Sequence, residues 1–94
     1  MAEIRWLRRA LSDIDRIERY HIEFGEDVAA KVVGAIRTAT LRLGNFPLSA
    51  PYVPLIDARK LTVIRYPYVV FYRVQDDVVR ILSVRHQSEN WLPN

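Results

Sequence analysis

The sequence contains no cysteine, which excludes a disulfide framework and any thiolate metal site. That absence fits a reducing compartment, and the cytoplasm is the expected location. Only two histidines are present, His21 and His86, and neither has the acidic or histidine neighbour at fixed spacing that marks a metal site. Glycine is scarce, three residues in 94, and no glycine-rich phosphate loop can be drawn. No serine-histidine-acid arrangement can be assembled either, so nucleotide hydrolysis and acyl transfer are not expected. Long apolar runs are missing as well. The N-terminus Met1-Ala2-Glu3-Ile4-Arg5-Trp6 carries charge from Glu3 onward, unlike a signal peptide or a membrane span. No cofactor, no metal and no membrane partner is expected.

What is present suits a folded chain. At 94 residues, 50% hydrophobic and 27% charged, residues 1–94 read as a single domain with enough Val, Ile and Leu for a core. Roughly 60–65% of the unfolded chain's surface can be buried at this size, which leaves stability modest and makes a stabilising partner useful. The formal net charge is +3, with acids clustered early and bases dominant from Arg59 onward.

The apolar period changes along the chain. Ala2 to Trp6 alternates, which predicts a short strand. Leu7, Leu11, Ile14, Ile17, His21 and Phe24 then recur at three- and four-residue steps, predicting an amphipathic helix that ends at Gly25. Glu26 and Asp27 place negative charge where a second helix begins, and Val28, Val32, Ile36, Ala39, Leu43 and Phe46 form its stripe. A junction this tight predicts an antiparallel helical hairpin. Pro47, Pro51 and Pro54 mark an ordered loop. Three β-rich runs follow, Arg59 to Arg65, Tyr68 to Gln75 and Val78 to Arg85, whose short connections predict an antiparallel meander. In the middle run Tyr68, Val70, Tyr72 and Val74 share one face and Val69 and Phe71 the other, the pattern of a strand covered on both sides. The fold class is therefore α+β.

This order, with Arg59-Lys60-Leu61 leading into Tyr66-Pro67-Tyr68-Val69-Val70-Phe71-Tyr72-Arg73-Val74, resembles the RelE/ParE toxin superfamily over nearly the whole chain. Ala10, the Asp13-Ile14 pair, Leu43 with Pro47, and Val84 with His86 add to the likeness. The Tyr-Pro-Tyr strand is most similar to the ParE-like and plasmid-stabilisation members. That resemblance implies a toxin of a type II toxin-antitoxin system that engages DNA gyrase without a catalytic group of its own. It also implies a cognate antitoxin that neutralises the toxin as a hetero-oligomer. The alternatives are a RelE-like endonuclease that cuts mRNA on the ribosome and a non-toxic interaction module of the same fold. Three departures from the family pattern stand out. Ser49, Ala50 and Pro51 replace a glycine-arginine pair, Glu89 stands where an arginine is usual, and Val69 stands where the RNase branch carries an arginine.

Arg59, Lys60, Arg65, Arg73, Arg80 and Arg85 are the bases of the meander, and together they would suit phosphate or an acidic protein groove; the plain alternative is a solvated face whose long side chains protect the sheet. The residues expected to meet a target or antitoxin are Arg59, Lys60, Arg65, Arg73, Arg85, His86 and Trp91. An RNase would draw its catalytic groups from Lys60, Arg65, Arg85 and His86, the histidine as general acid or base. His21 falls on a buried stripe and is expected to be structural. Tyr66, Tyr68 and Tyr72 are read as packing before base stacking.

Overall fold

A computed structural model of the chain describes residues 1–89. The order is β1 (Glu3–Trp6), α1 (Arg8–Ile22), α2 (Glu26–Leu41), β2 (Tyr52–Val53), β3 (Ala58–Thr62), β4 (Tyr68–Gln75) and β5 (Val78–His86). The strands form one sheet in the order β1-β5-β4-β3-β2. β3, β4 and β5 make the expected antiparallel meander. β1 joins it beside β5, in parallel, with Arg5 opposite Arg80. The helical hairpin packs on one face of this sheet, where Ile14, Ile17, Val32 and Ile36 share a buried cluster with Leu61, Val70, Tyr72, Val79, Ile81 and Val84.

Local details depart from the periodicity. On α1 the buried line is Ala10, Asp13, Ile14 and Ile17, whereas Leu7, Leu11 and Phe24 are exposed. The small Ala10 sets the line of contact with β5, and Leu7 and Leu11 fall on the next line round the helix. Gly25 opens α2 at φ 123° and ψ 144°, a region closed to side-chain-bearing residues, and a Cβ there would lie 2.7 Å from Asp27 Oδ1. The second helix ends at Leu41, not at Phe46. A 3-10 turn, Arg42–Gly44, follows, and the Gly44 carbonyl leaves the helix to accept the Ala2 N–H at 2.7 Å. Leu43 stays buried, and Phe46 is turned out.

The proline loop carries more structure than its composition suggests, since it contains the two residues of β2 and a 3-10 turn, Pro54–Ile56. Side chains from the sheet hold it, Tyr72 and Arg59 at its start and Arg73 at the Ile56 and Asp57 carbonyls. Tyr72 Oη donates to the Pro47 carbonyl at 2.8 Å, and Arg59 Nη1 donates to the carbonyls of Ala50 at 2.8 Å and Leu48 at 3.3 Å. β3 stops at Thr62 and does not reach Arg65, whose φ of 81° turns the chain toward Pro67. All five residues from Tyr68 to Tyr72 are buried, so β4 is covered on both faces. Between Phe71 and Tyr72 the pairing with β5 slips, from Ser83 to Ile81. The extra residue, Leu82, lets Val79, Ile81 and Val84 all reach the helical face despite their uneven spacing.

Candidate functional site

Strand alternation, corrected for the bulge at Leu82, divides the predicted bases into three groups. Lys60, Arg73, Arg80 and Arg85 lie on the face away from the helices, in register with Phe71, Arg80, Arg73 and Val69 respectively. Arg59 lies on the helical face, where it fastens the proline loop and its guanidinium sits 5.8 Å from the Tyr52 ring centre. Arg65 occupies the exposed turn after β3. His86 follows Val84 onto the helical face, with its ring 5.5 Å from that of Tyr68 at 82°. Trp91 lies outside the described residues.

On the face opposite the helices the sheet makes a row that the sequence does not announce. Arg5 is opposite Arg80, and Arg80 is opposite Arg73, so three arginines cross three neighbouring strands about 4.8 Å apart. Like charges directly opposite one another destabilise a sheet, which makes this row a candidate surface for an anionic partner. The row is flanked by acids: Glu3 pairs with Arg5, and Arg73 lies 3.8 Å from Asp57 while also donating to the carbonyls of Ile56 and Asp57. Arg5 escaped notice because its membership depends on β1 lying beside β5, and no local pattern reports that pairing.

The other end of β5 shows what Glu89 does. β1 covers β5 only as far as Ile81, so the later N–H groups that point to that side need other acceptors. Asp13 Oδ2 takes Val84 N–H at 2.9 Å, and Glu89 Oε1 takes His86 N–H at 3.1 Å. Arg85 Nη1 donates to Glu89 at 3.2 Å, while Arg16 lies 3.3 Å from Asp13 and 4.0 Å from Glu89. The Glu89 carboxyl is accordingly held below its ordinary range, first by the His86 N–H and then by the Arg85 side chain and the nearby arginine charges, with partial burial opposing them. Because the folded value is depressed, the stabilisation is complete above the ordinary glutamate value of 4.5 and is lost as pH falls through the lowered one. Urea unfolding across the carboxylate range is therefore expected to show a stability gap between the native chain and Glu89→Gln that closes on acidification. A gap independent of pH would argue against this role.

Beside this corner lies a cleft of about 520 Å³ lined by Tyr20, His21, Tyr68, His86 and Glu89. His21 Nε2 and Tyr68 Oη are 3.0 Å apart, and burial pushes the Tyr68 phenol upward, as it does that of Tyr72. The His86 imidazole accepts the Ser88 N–H at Nδ1, 3.1 Å away. Its carboxylate neighbour Glu89 binds the His86 backbone and Arg85, and no carboxylate-imidazole pair is formed at His86 among the described residues. No group of three or more His, Cys, Asp or Glu side chains able to hold a metal occurs among the described residues. Nor is any helix among them long and apolar enough to cross a membrane.

Comparison with known proteins places this geometry in a family. The ParE toxin of the type II toxin-antitoxin system parDE matches residues 4–91. The chain belongs to the ParE toxin family. Among curated relatives it is similar to a putative toxin, Y4kP, of Sinorhizobium fredii, 38% identical over 88 residues that span 94% of this chain and 91% of the relative. It is also similar to the toxin RelE2 of Caulobacter vibrioides, 33% identical over 94% of this chain and 98% of the relative. Among solved structures, a chromosomal ParDE toxin-antitoxin system from P. aeruginosa superposes with a TM-score of 0.79 at 27% identity, covering 92% of this chain and 96% of that one. A conserved hypothetical protein of Helicobacter pylori shares the fold, with a TM-score of 0.60 at 20% identity over 95% of this chain and 98% of that one. This ParE-family chain is thus the toxin component of a type II toxin-antitoxin system.

Proposed function

We propose that this toxin acts in the cytoplasm by binding DNA gyrase stoichiometrically, with no catalytic step of its own, and that a cognate antitoxin encoded beside it neutralises it in a hetero-oligomer. The observation that carries this reading is the separation of the groups an RNase would need. Cleaving RNA through its 2′-hydroxyl builds negative charge on the phosphate, and a site without a metal must meet it with converging cations. Lys60 and Arg85 lie on one face of the sheet, His86 faces the other, and Arg65 stands in the β3–β4 turn. Arg85 is moreover paired with Glu89, and Val69, buried in β4, offers no charge. In the row Arg5-Arg80-Arg73 the outer two arginines are paired with Glu3 and Asp57, and Arg80, with no ion-pair partner among the described residues, supports contact with an anionic group of a protein or nucleoprotein target.

The test is a paired assay of purified protein, with gyrase supercoiling and cleavage-complex formation on one side and translating ribosomes with a defined mRNA on the other. Inhibition of gyrase, weakened by Arg80→Glu and relieved by the neighbour-encoded antitoxin, is the expected result. Codon-positioned mRNA cuts that vanish on Lys60→Ala, with gyrase untouched, would transfer the protein to the RNase reading.

A further inference from the structure

The tip of the helical hairpin exposes apolar side chains that the fold does not use. Tyr20, Ile22 and Phe24, around the end of α1, are 63%, 48% and 62% exposed. Neither Ile22 nor Phe24 lines the cleft beside Glu89. The rings are nevertheless held in place. Those of Tyr20 and Phe24 stand 5.8 Å apart, and Tyr20 meets His21 edge-on at 5.0 Å and 88°. His21 Nε2 in turn lies 3.0 Å from Tyr68 Oη. The backbone beneath is pinned as well, since Phe24 N–H donates to the His21 carbonyl at 2.9 Å and Gly25 N–H to the Ile22 carbonyl at 3.1 Å. An aromatic pair that is exposed and already ordered loses little conformational freedom on binding, which suits it to anchor an interface.

The charge around this pair opposes the net charge of the chain. Glu23, Glu26 and Asp27 are exposed, and none has an ion-pair partner among the described residues. Glu26 and Asp27 open α2, where the helix dipole favours them. Glu23 has no such reason to be there. It caps the C-terminal end of α1, where the dipole disfavours an anion, and Arg19 one turn back donates to the Asp15 carbonyl instead. The isolated fold would be better served by a lysine at this position.

We infer that the hairpin tip docks a basic, apolar segment of the toxin's target protein, with Tyr20 and Phe24 as anchors and Glu23 as the charge contact. The inference rests on the gyrase reading. Its occupant follows from the surface itself: carboxylates repel nucleic acid, so the partner is a protein, and exposed aromatic rings call for apolar side chains beside its cations. An antitoxin complementary to a toxin of net charge +3 is acidic and is repelled from this tip. The target thus meets the toxin at two surfaces of opposite charge, the tip and Arg80.

Calorimetric titration of DNA gyrase holoenzyme with the native toxin, Phe24→Ala and Glu23→Lys tests it, repeated with the neighbour-encoded antitoxin. Both variants should bind gyrase at least about tenfold more weakly and the antitoxin with native affinity. Glu23→Lys should at the same time raise the Tm of the isolated toxin by about 2–4 °C, because it replaces an anion at a helix C-terminus with a cation. Unchanged gyrase affinity in both variants overturns this inference alone. A native chain that does not bind gyrase brings down the gyrase reading and this inference with it. An equal loss of antitoxin affinity would make the tip an antitoxin surface, and a lowered Tm in Glu23→Lys would show that the glutamate serves the fold; either result overturns the inference. So does concentration-dependent self-association that Phe24→Ala abolishes, which would give the tip to a second toxin.

Discussion

Leu61→Ala is expected to lower the unfolding free energy by about 2–5 kcal/mol, and Phe71→Ala by about 3–5 kcal/mol. Leu61 stands opposite Val70, is 1% exposed, and belongs to the cluster that joins the sheet to α2. Its truncation removes buried methyl groups from a site whose neighbours on β4 are fixed by the ladder and cannot close in. Phe71 is buried on the other face, away from that cluster. The two substitutions thus examine two separate packed regions and should add when combined. Ile64→Ala, at an exposed position, should change stability by only about 0.5 kcal/mol or less. Urea unfolding with unchanged m-values measures all three. A loss of a few tenths of a kcal/mol for Phe71→Ala would mean that the second face is only lightly covered.

The double burial of β4 was legible because Tyr68 to Tyr72 has no polar residue to turn outward, and strand alternation converts that directly into two covered faces. The helical hairpin was legible from its two stripes and from Gly25. The sheet's full width was not. β1 pairs with β5 across more than seventy residues of sequence, and neither segment carries a turn signal that names the other. β2 consists of two residues inside a proline-rich loop, and it exists because Arg59 and Tyr72 tie that loop down, which is a tertiary effect that composition cannot report. The helix and strand ends that moved, Leu41 and Thr62, did so for backbone reasons: a carbonyl taken by Ala2 and a positive φ at Arg65.

The candidate site was legible as a list of residue types and not as a surface. Counting bases from Arg59 onward assembled six residues that the structure distributes over two faces and a turn, because a one-residue bulge and a loop clamp decide where each points. Arg59 looked like the others by charge, yet its guanidinium is engaged with loop carbonyls. Glu89 looked like a lost basic contact, and in the structure it is the acceptor for an N–H that no strand reaches.

The same reasoning gives Asp13 a role that its likeness to the family's first helix did not explain. Asp13 is a carboxylate on the buried line of α1, 8% exposed, where an apolar residue would be the ordinary choice. It is there because β1 ends at Trp6 and the chain turns into α1, which leaves Val84 N–H on β5 without a strand neighbour. The bond from Val84 to Asp13 Oδ2 at 2.9 Å replaces the missing rung. An unsatisfied buried N–H costs about 1–3 kcal/mol, so Asp13→Ala is expected to destabilise by that amount even though it removes a charge from the interior. Asp13→Asn keeps an acceptor oxygen and loses only the charge assistance and the Arg16 pair, so it should fall well short of the alanine loss. Hydrogen exchange at the Val84 amide separates the two causes. In Asp13→Ala that amide should exchange faster relative to its β5 neighbours, whereas in Asp13→Asn it should remain protected. Equal losses in the two variants, with Val84 protected in both, would assign the effect to the ion pair with Arg16.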